Sequence, residues 1–125
     1  GSATKFTLTS ETNVFEGGLI LPGLGTSLRA LTSFIPHLPE VPLVVPQHVV
    51  GQSTISAIQS GVMYGLIAQI EGLAQRMETE HGKPCKRILT GGYASLIHEH
   101  LPEFAYEPDL LTEGLQAIFK KGLLL

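Results

Sequence analysis

The residues of this chain best suited to chemistry are a glycine pair, a threonine at a helix start and two hydroxyls near a strand entrance. Gly91-Gly92 follows a short apolar run and precedes a helical pattern. Bare backbone N–H groups at a helix N-terminus suit a phosphate or a nucleotide edge. A tight strand-to-helix turn that needs positive φ accounts for the same pair. Gly17-Gly18 and Pro22-Gly23 read equally as a bulge and a turn or as a ligand contact. Thr54 is a candidate hydroxyl donor, next to Ser53, and one of the two must cap the helix that starts there. If Ser53 caps, Thr54 is left to point elsewhere. Ser2 and Thr4 sit where a hairpin begins, in reach of a phosphate, although vector sequence explains Ser2 as well.

Other reactive groups do not converge. Of the five histidines, His98 and His100 are two apart and fall on different sides of a helix. His81 and Cys85 flank a loop without a further ligand at zinc-like spacing. No Ser-His-Asp order and no cysteine-nucleophile context stands out. Glu78, Glu80, Lys83 and Lys86 read as a solvated face, as do Glu99, Glu103 and Glu107.

Composition narrows the classes. The 125 residues are enough for one domain with a core, and 43% are apolar. Net charge is −3 without a basic cluster, so nucleic acid has no electrostatic footprint. The longest apolar helix is interrupted by Gln69, Glu71, Gln75 and Arg76, which argues against a membrane span. A lone cysteine and the lack of a signal peptide point to the cytoplasm. Leu123-Leu124-Leu125 is an apolar end that either docks or marks a truncation.

These groups need elements to hold them. Thr4, Phe6 and Leu8 alternate with polar neighbours, predicting a strand over 4–9, hairpin-paired with a second over 14–21. A helix is predicted over 26–35 with Leu28, Leu31, Phe34 and Ile35 inward. Four prolines between 36 and 48 imply an extended connector with a short strand near Leu43–Val45. From about 53 to 80 a long helix carries an apolar stripe of Ile55, Ile58, Val62, Leu66, Ile70, Leu73 and Met77. Beside it, Ala57, Gly61, Gly65 and Ala68 form a small-residue row that suits a close-packed partner or ligand. Arg87–Leu89 reads as a buried strand, 93–101 as a helix, Phe104–Tyr106 as a strand, and Asp109 opens a final helix to about 121. This order predicts an α/β layer structure with parallel crossovers.

Five blocks carry a resemblance over nearly the whole chain: GGLILPGLGTSLRAL (17–31), LPEV (38–41), VVGQSTISAIQSGVMYG (49–65), ILTGG (88–92) and EPDLLTEGLQAIF (107–119). In this order they resemble the C-terminal half of the type III pantothenate kinases, a family that includes Bvg accessory factor-like members. The resemblance implies a ribonuclease H-like half of the actin-like ATPase fold, a mixed sheet flanked by helices. It implies transfer of the ATP γ-phosphate to pantothenate in coenzyme A synthesis, with Mg2+ and a monovalent cation, K+ or NH4+. It implies a homodimer with pantothenate close to the subunit interface. By the same resemblance Thr54 matches the threonine that contacts pantothenate. Gly1, Ser2 and Ala3 match the end of an Asp-x-Gly-Thr-Ala motif at the ATP phosphates, and Gly91 and Gly92 match a glycine pair near the nucleotide.

The resemblance also implies what the chain lacks. The cation-binding aspartate and the first strand of this half would precede Gly1, and the catalytic aspartate would lie further upstream. Lys5-Phe6-Thr7 stands where the family often has Thr-x-Asp, so a threonine replaces an acid. The expectation is a chain without kinase activity by itself, with an open sheet edge at the hairpin that calls for the missing half or a second copy. A regulatory, accessory-factor-like module and an engineered half-domain are the alternatives.

Overall fold

The computed structural model describes residues 3–110 and 114–121. Strands β1 (Ala3–Thr9) and β2 (Phe15–Pro22) form the expected antiparallel hairpin. The alternation is realised: Thr4, Phe6 and Leu8 are buried while Lys5 is exposed. The register slips between Leu8 and Thr9, which fits the bulge reading of the glycine pair opposite. Gly18 must be glycine because a Cβ there would lie 2.0 Å from the Phe6 carbonyl oxygen.

Helix α1 spans Leu24–Thr32, starting two residues and ending three residues before the predicted bounds. Leu28 packs on the core, but Leu31 and Phe34 point to solvent, at 47% and 85% exposure. Ser33 caps the last turn, its N–H donating to the Arg29 carbonyl and its hydroxyl to the Ala30 carbonyl, and Pro36 stops any continuation, so Phe34 and Ile35 fall outside the helix. The connector from 36 to 53 has no strand at Leu43–Val45. Its prolines withhold the donors that a ladder needs, and its carbonyls find side-chain donors instead.

Helix α2 (Thr54–His81) matches the long apolar stripe and is about 42 Å long at 1.5 Å per residue. Gly82 ends it at φ 70 in the left-handed conformation. Val62, Leu66 and Ile70 are buried, with Met63, Ile67 and Ala74 beside them. The small-residue row behaves differently. Ala57, Gly61 and Ala68 are exposed, and a Cβ on Gly61 or Gly65 would meet nothing within 4 Å. No close-packed partner lies against those two glycines among the described residues.

Strand β3 (Lys86–Thr90) follows, then a single turn of α3 (Ala94–Ile97) that passes into a 3-10 turn at His98–His100. The predicted helix over 93–101 is thus split. Strand β4 is Ala105–Tyr106. The largest departure is at the end of the chain. Leu115–Lys120 is a strand, β5, not the second half of a helix from Asp109, and 111–113 lie outside the described residues. Tertiary pairing overrides local propensity here: Leu115, Ala117 and Phe119 alternate into the core at 2% exposure or less.

The mixed sheet runs β2-β1-β5-β3-β4. β5 is parallel to β1 and antiparallel to β3, so it fills the centre. The hairpin edge at β1 is therefore covered, and the two edges of the sheet are β2 and β4. The face toward the helices carries Phe6 stacked on Phe119 at 5.9 Å, with Phe104 edge-on to Phe119. Each such fully buried apolar side chain contributes about 1.5–3 kcal/mol. The opposite face carries Lys5, Thr7, Gln116, Ile118 and Lys120, where the Gln116 amide donates to Thr7 Oγ1 at 2.7 Å.

Candidate functional site

Thr54 is placed by the cap of α2. Ser53 is the N-cap, and its hydroxyl accepts from the Ser56 N–H at 3.1 Å. Ser56 returns the favour, its hydroxyl accepting from the Ser53 N–H at 2.9 Å. This reciprocal box satisfies two backbone donors at the helix start. Thr54 is thereby excluded from capping and stands exposed, with no hydrogen-bond partner among the described residues.

The approach to Thr54 is tight. A Cβ on Gly51 would sit 2.5 Å from the Ala57 nitrogen, so only glycine lets the incoming chain lie against the first turn of α2. In front of this turn opens a cleft of about 560 Å³, lined by Pro46, Gln47, His48, Val50, Gly51, Gln52 and Ser56. Its walls offer two amides and an imidazole able to hydrogen-bond a small ligand, beside the Ser56 hydroxyl that is held in the cap.

Three side chains of α2 hold the connector that forms this wall. Gln59 Nε2 donates to the Val44 carbonyl at 2.9 Å, and the Tyr64 hydroxyl donates to the Pro46 carbonyl at 2.6 Å. Ser60 Oγ donates to the Val49 carbonyl. Sequence reasoning passed over these donors. The signal was present in polar residues on the margin of an apolar helix, next to a proline-rich segment whose carbonyls had no ladder.

Gly91 and Gly92 lie at the C-terminal end of β3. Gly91 has φ 107, and a Cβ there would come 1.8 Å from the Gly114 carbonyl oxygen. Its identity is accounted for by that contact. Gly92 has open space, with nothing within 4 Å of a Cβ. The buried Thr90 hydroxyl donates to the Glu107 carbonyl at 2.6 Å, tying this turn to the end of β4. The cleft beside Thr54 does not include Gly91 or Gly92. Ser2 lies outside the described residues. Thr4, its neighbour in the sequence argument, is 1% exposed and its hydroxyl has no partner within the described protein.

Several other titratable groups make contacts within the fold. Arg87 donates to Glu78 and, at 2.8 Å, to Glu103, and lies 5.6 Å from the centre of the Phe104 ring. His98 stacks on Tyr106 at 4.1 Å, and His100 meets Tyr64 edge-on at 6.4 Å. Burial, and then the charge of Glu78, push the Cys85 thiol above its ordinary pKa. Among the described residues no three His, Cys, Asp or Glu side chains group to hold a metal ion. Nor is any described helix long and apolar enough to cross a membrane.

Comparison with known proteins assigns the chain to a family. A profile of the type III pantothenate kinases matches residues 1–76, which include the Thr54 cap and the three connector donors. A type III pantothenate kinase of Desulfosudis oleivorans is 45% identical over 120 residues, 94% of this chain and 47% of that protein. One of Hyphomonas neptunium is 41% identical over 98% of this chain and 48% of its own length. One of Dehalococcoides mccartyi is 40% identical over 96% of this chain and 47% of its own. A crystal structure from Campylobacter jejuni, described as a Baf family transcriptional activator, superposes with a TM-score of 0.54. It covers 85% of this chain and 51% of its own at 19% identity, a likeness of fold alone. The chain spans about half the length of the curated relatives it matches, and it belongs to the type III pantothenate kinase family.

Proposed function

We propose that this chain is the C-terminal portion of a type III pantothenate kinase and supplies one wall of the site where ATP phosphorylates pantothenate. The observation that carries the reading is Thr54. It lies within the family match, is released from capping by Ser53, and stands exposed in the first turn of α2, between Gln52 and Ser56 of the cleft wall in the chain. In this reading the Thr54 hydroxyl meets pantothenate, while Ser2, Gly91 and Gly92 belong to the ATP side. Gly92 keeps open backbone for a nucleotide, and Gly91 serves the turn.

The same reading makes the fold a ribonuclease H-like half of an actin-like ATPase without its first strand. It is supported by β5, a segment of good helix formers recruited as the central strand beside β1. Mg2+ and K+ or NH4+ would be held by groups outside the described residues. The working enzyme would be a cytoplasmic homodimer, or this chain joined to its other half.

Phosphoryl transfer depends on positioning and charge neutralisation from both sides of the transferred group. One wall provides the first in part and the second hardly at all. The chain alone is therefore expected to bind pantothenate and not to turn it over. Thermal unfolding with pantothenate, with ATP and Mg2+, and with all three tests this, with molar mass recorded in parallel. A ligand at a hundred times its Kd adds about 2.7 kcal/mol, a shift of several degrees. No shift with pantothenate at millimolar concentration refutes the substrate assignment, and formation of phosphopantothenate by the chain alone refutes the one-wall reading.

A further inference from the structure

We propose that Tyr64 and Ser60, assisted by Gln59, are positioning residues for the substrate wall formed by Gln47 and His48. The inference rests on the reading of the cleft lined by Gln47, His48, Gln52 and Ser56, at the start of α2, as the pantothenate wall. Tyr64 donates to the Pro46 carbonyl at 2.6 Å and Ser60 to the Val49 carbonyl, so the two bonds bracket Gln47 and His48.

Burial does not hold this stretch. Leu43 and Val45 pack on the core, but Val44, Val49 and Val50 are 61%, 62% and 81% exposed. Beyond Val45 the connector has neither strand pairing nor an apolar anchor. The hydrogen bonds decide its path, and Pro46 removes one of the few backbone donors that could compete. Ser60 is 4% exposed and commits its hydroxyl to this one contact, which makes it the more constrained pin. Tyr64 also meets His100 edge-on, so its ring is fixed from the other side by the 3-10 turn after α3. Gly51 completes the device by letting the chain return to the helix start without a clash. Pins one to three turns inside α2 thus set where the wall stands relative to Thr54.

The test is a pantothenate titration followed by amide NMR, with heteronuclear NOE values for residues 47–50. It compares the parent chain with Tyr64→Phe, Ser60→Ala, Ser60→Thr, Thr54→Val and Met77→Ala. Loss of a hydrogen bond is expected to weaken pantothenate about fivefold in Tyr64→Phe and in Ser60→Ala. The NOE at 47–50 falls in both, while α2 beyond Leu66 is unchanged. Ser60→Thr restores affinity and order. Met77→Ala lowers stability far from the connector and leaves affinity unchanged, which a merely structural role for Tyr64 and Ser60 would not separate. If Tyr64→Phe and Ser60→Ala bind as the parent does while Thr54→Val is weakened, the positioning role is wrong and the substrate reading stands. If the parent does not bind pantothenate, or Thr54→Val binds as well as the parent, the substrate reading falls and this inference with it.

Discussion

Replacing Gly91 by alanine probes the least expected part of the fold. The added methyl would lie 1.8 Å from the Gly114 carbonyl oxygen, 2.8 Å from its carbon and 2.9 Å from Leu115 Cα. All three are backbone atoms at the entrance of the central strand, so no side chain can swing away. Relief requires β5 to move out of register with β1 and β3, or the turn after β3 to shift. Overpacking of this kind costs about 1–3 kcal/mol. The backbone angle of 107° adds strain of about 1–3 kcal/mol for a residue with a Cβ. Together Gly91→Ala is expected to lose about 2–6 kcal/mol, a large share of a stability of about 5–15 kcal/mol. The control is Gly92→Ala, one residue on, where a Cβ meets nothing within 4 Å. It is expected to stay within about 0.5 kcal/mol of the parent. Urea unfolding separates them: at an m-value of about 2 kcal/mol/M, the Gly91→Ala midpoint falls by about 1 M or more. Equal midpoints would refute the reasoning, because they would mean that Gly114 and β5 are not seated against this turn.

Arg87→Met is expected to cost about 3 kcal/mol by thermal or urea unfolding, because it strands Glu78, whose side chain is 14% exposed. Glu103→Gln, at a side chain 78% exposed, should cost less than about 1 kcal/mol. Ser53→Ala is expected to cost about 1 kcal/mol through loss of the cap, while Thr54→Val leaves the unfolding midpoint within error; the reverse result would reassign the cap. Because the Cys85 thiol is raised by burial and then by Glu78, alkylation at mildly alkaline pH should be slower in the folded chain than in urea. The raised native value also means that stability is intact below the ordinary thiol range and is lost as pH rises through the folded value. A Cys85→Ser variant with the same alkaline slope would show that other groups set it.

What was legible in the sequence was what local pattern decides. Alternation placed Phe6 and Leu8 inside β1, and steps of three and four placed Val62, Leu66 and Ile70 on the buried face of α2. Ser53 and Gly82 mark both ends of that helix by their own chemistry. The errors share a cause. Leu115–Phe119 has the composition of a helix, and only β1 and β3, far away in sequence, make it a strand. Leu43–Val45 has the composition of a strand, yet no strand pairs with it, and the nearby carbonyls are taken by α2 side chains. At the site, the cap and the exposure of Thr54 could be read locally. The contact of Gly91 with Gly114 could not, because the two are distant in sequence. The Gln59-Ser60-Gly61 run was visible only as a family pattern, and its first two residues are now seen to grip the connector.

The central position of β5 has a consequence for the order in which the fold assembles. Thr4 pairs with Leu115 and Thr9 with Lys120, so the middle of the sheet joins the first strand to the last. A folding chain that has formed the hairpin and α2 has formed no complete sheet. The hairpin and β3 then wait as separate edges, and Phe6 and Leu89 have no strand between them. Closing so long a loop is entropically costly and kinetically slow. Pairing of β5 between β1 and β3 should therefore be a late step of folding, with the unfinished edges open to chaperones and to neighbouring chains until it is made.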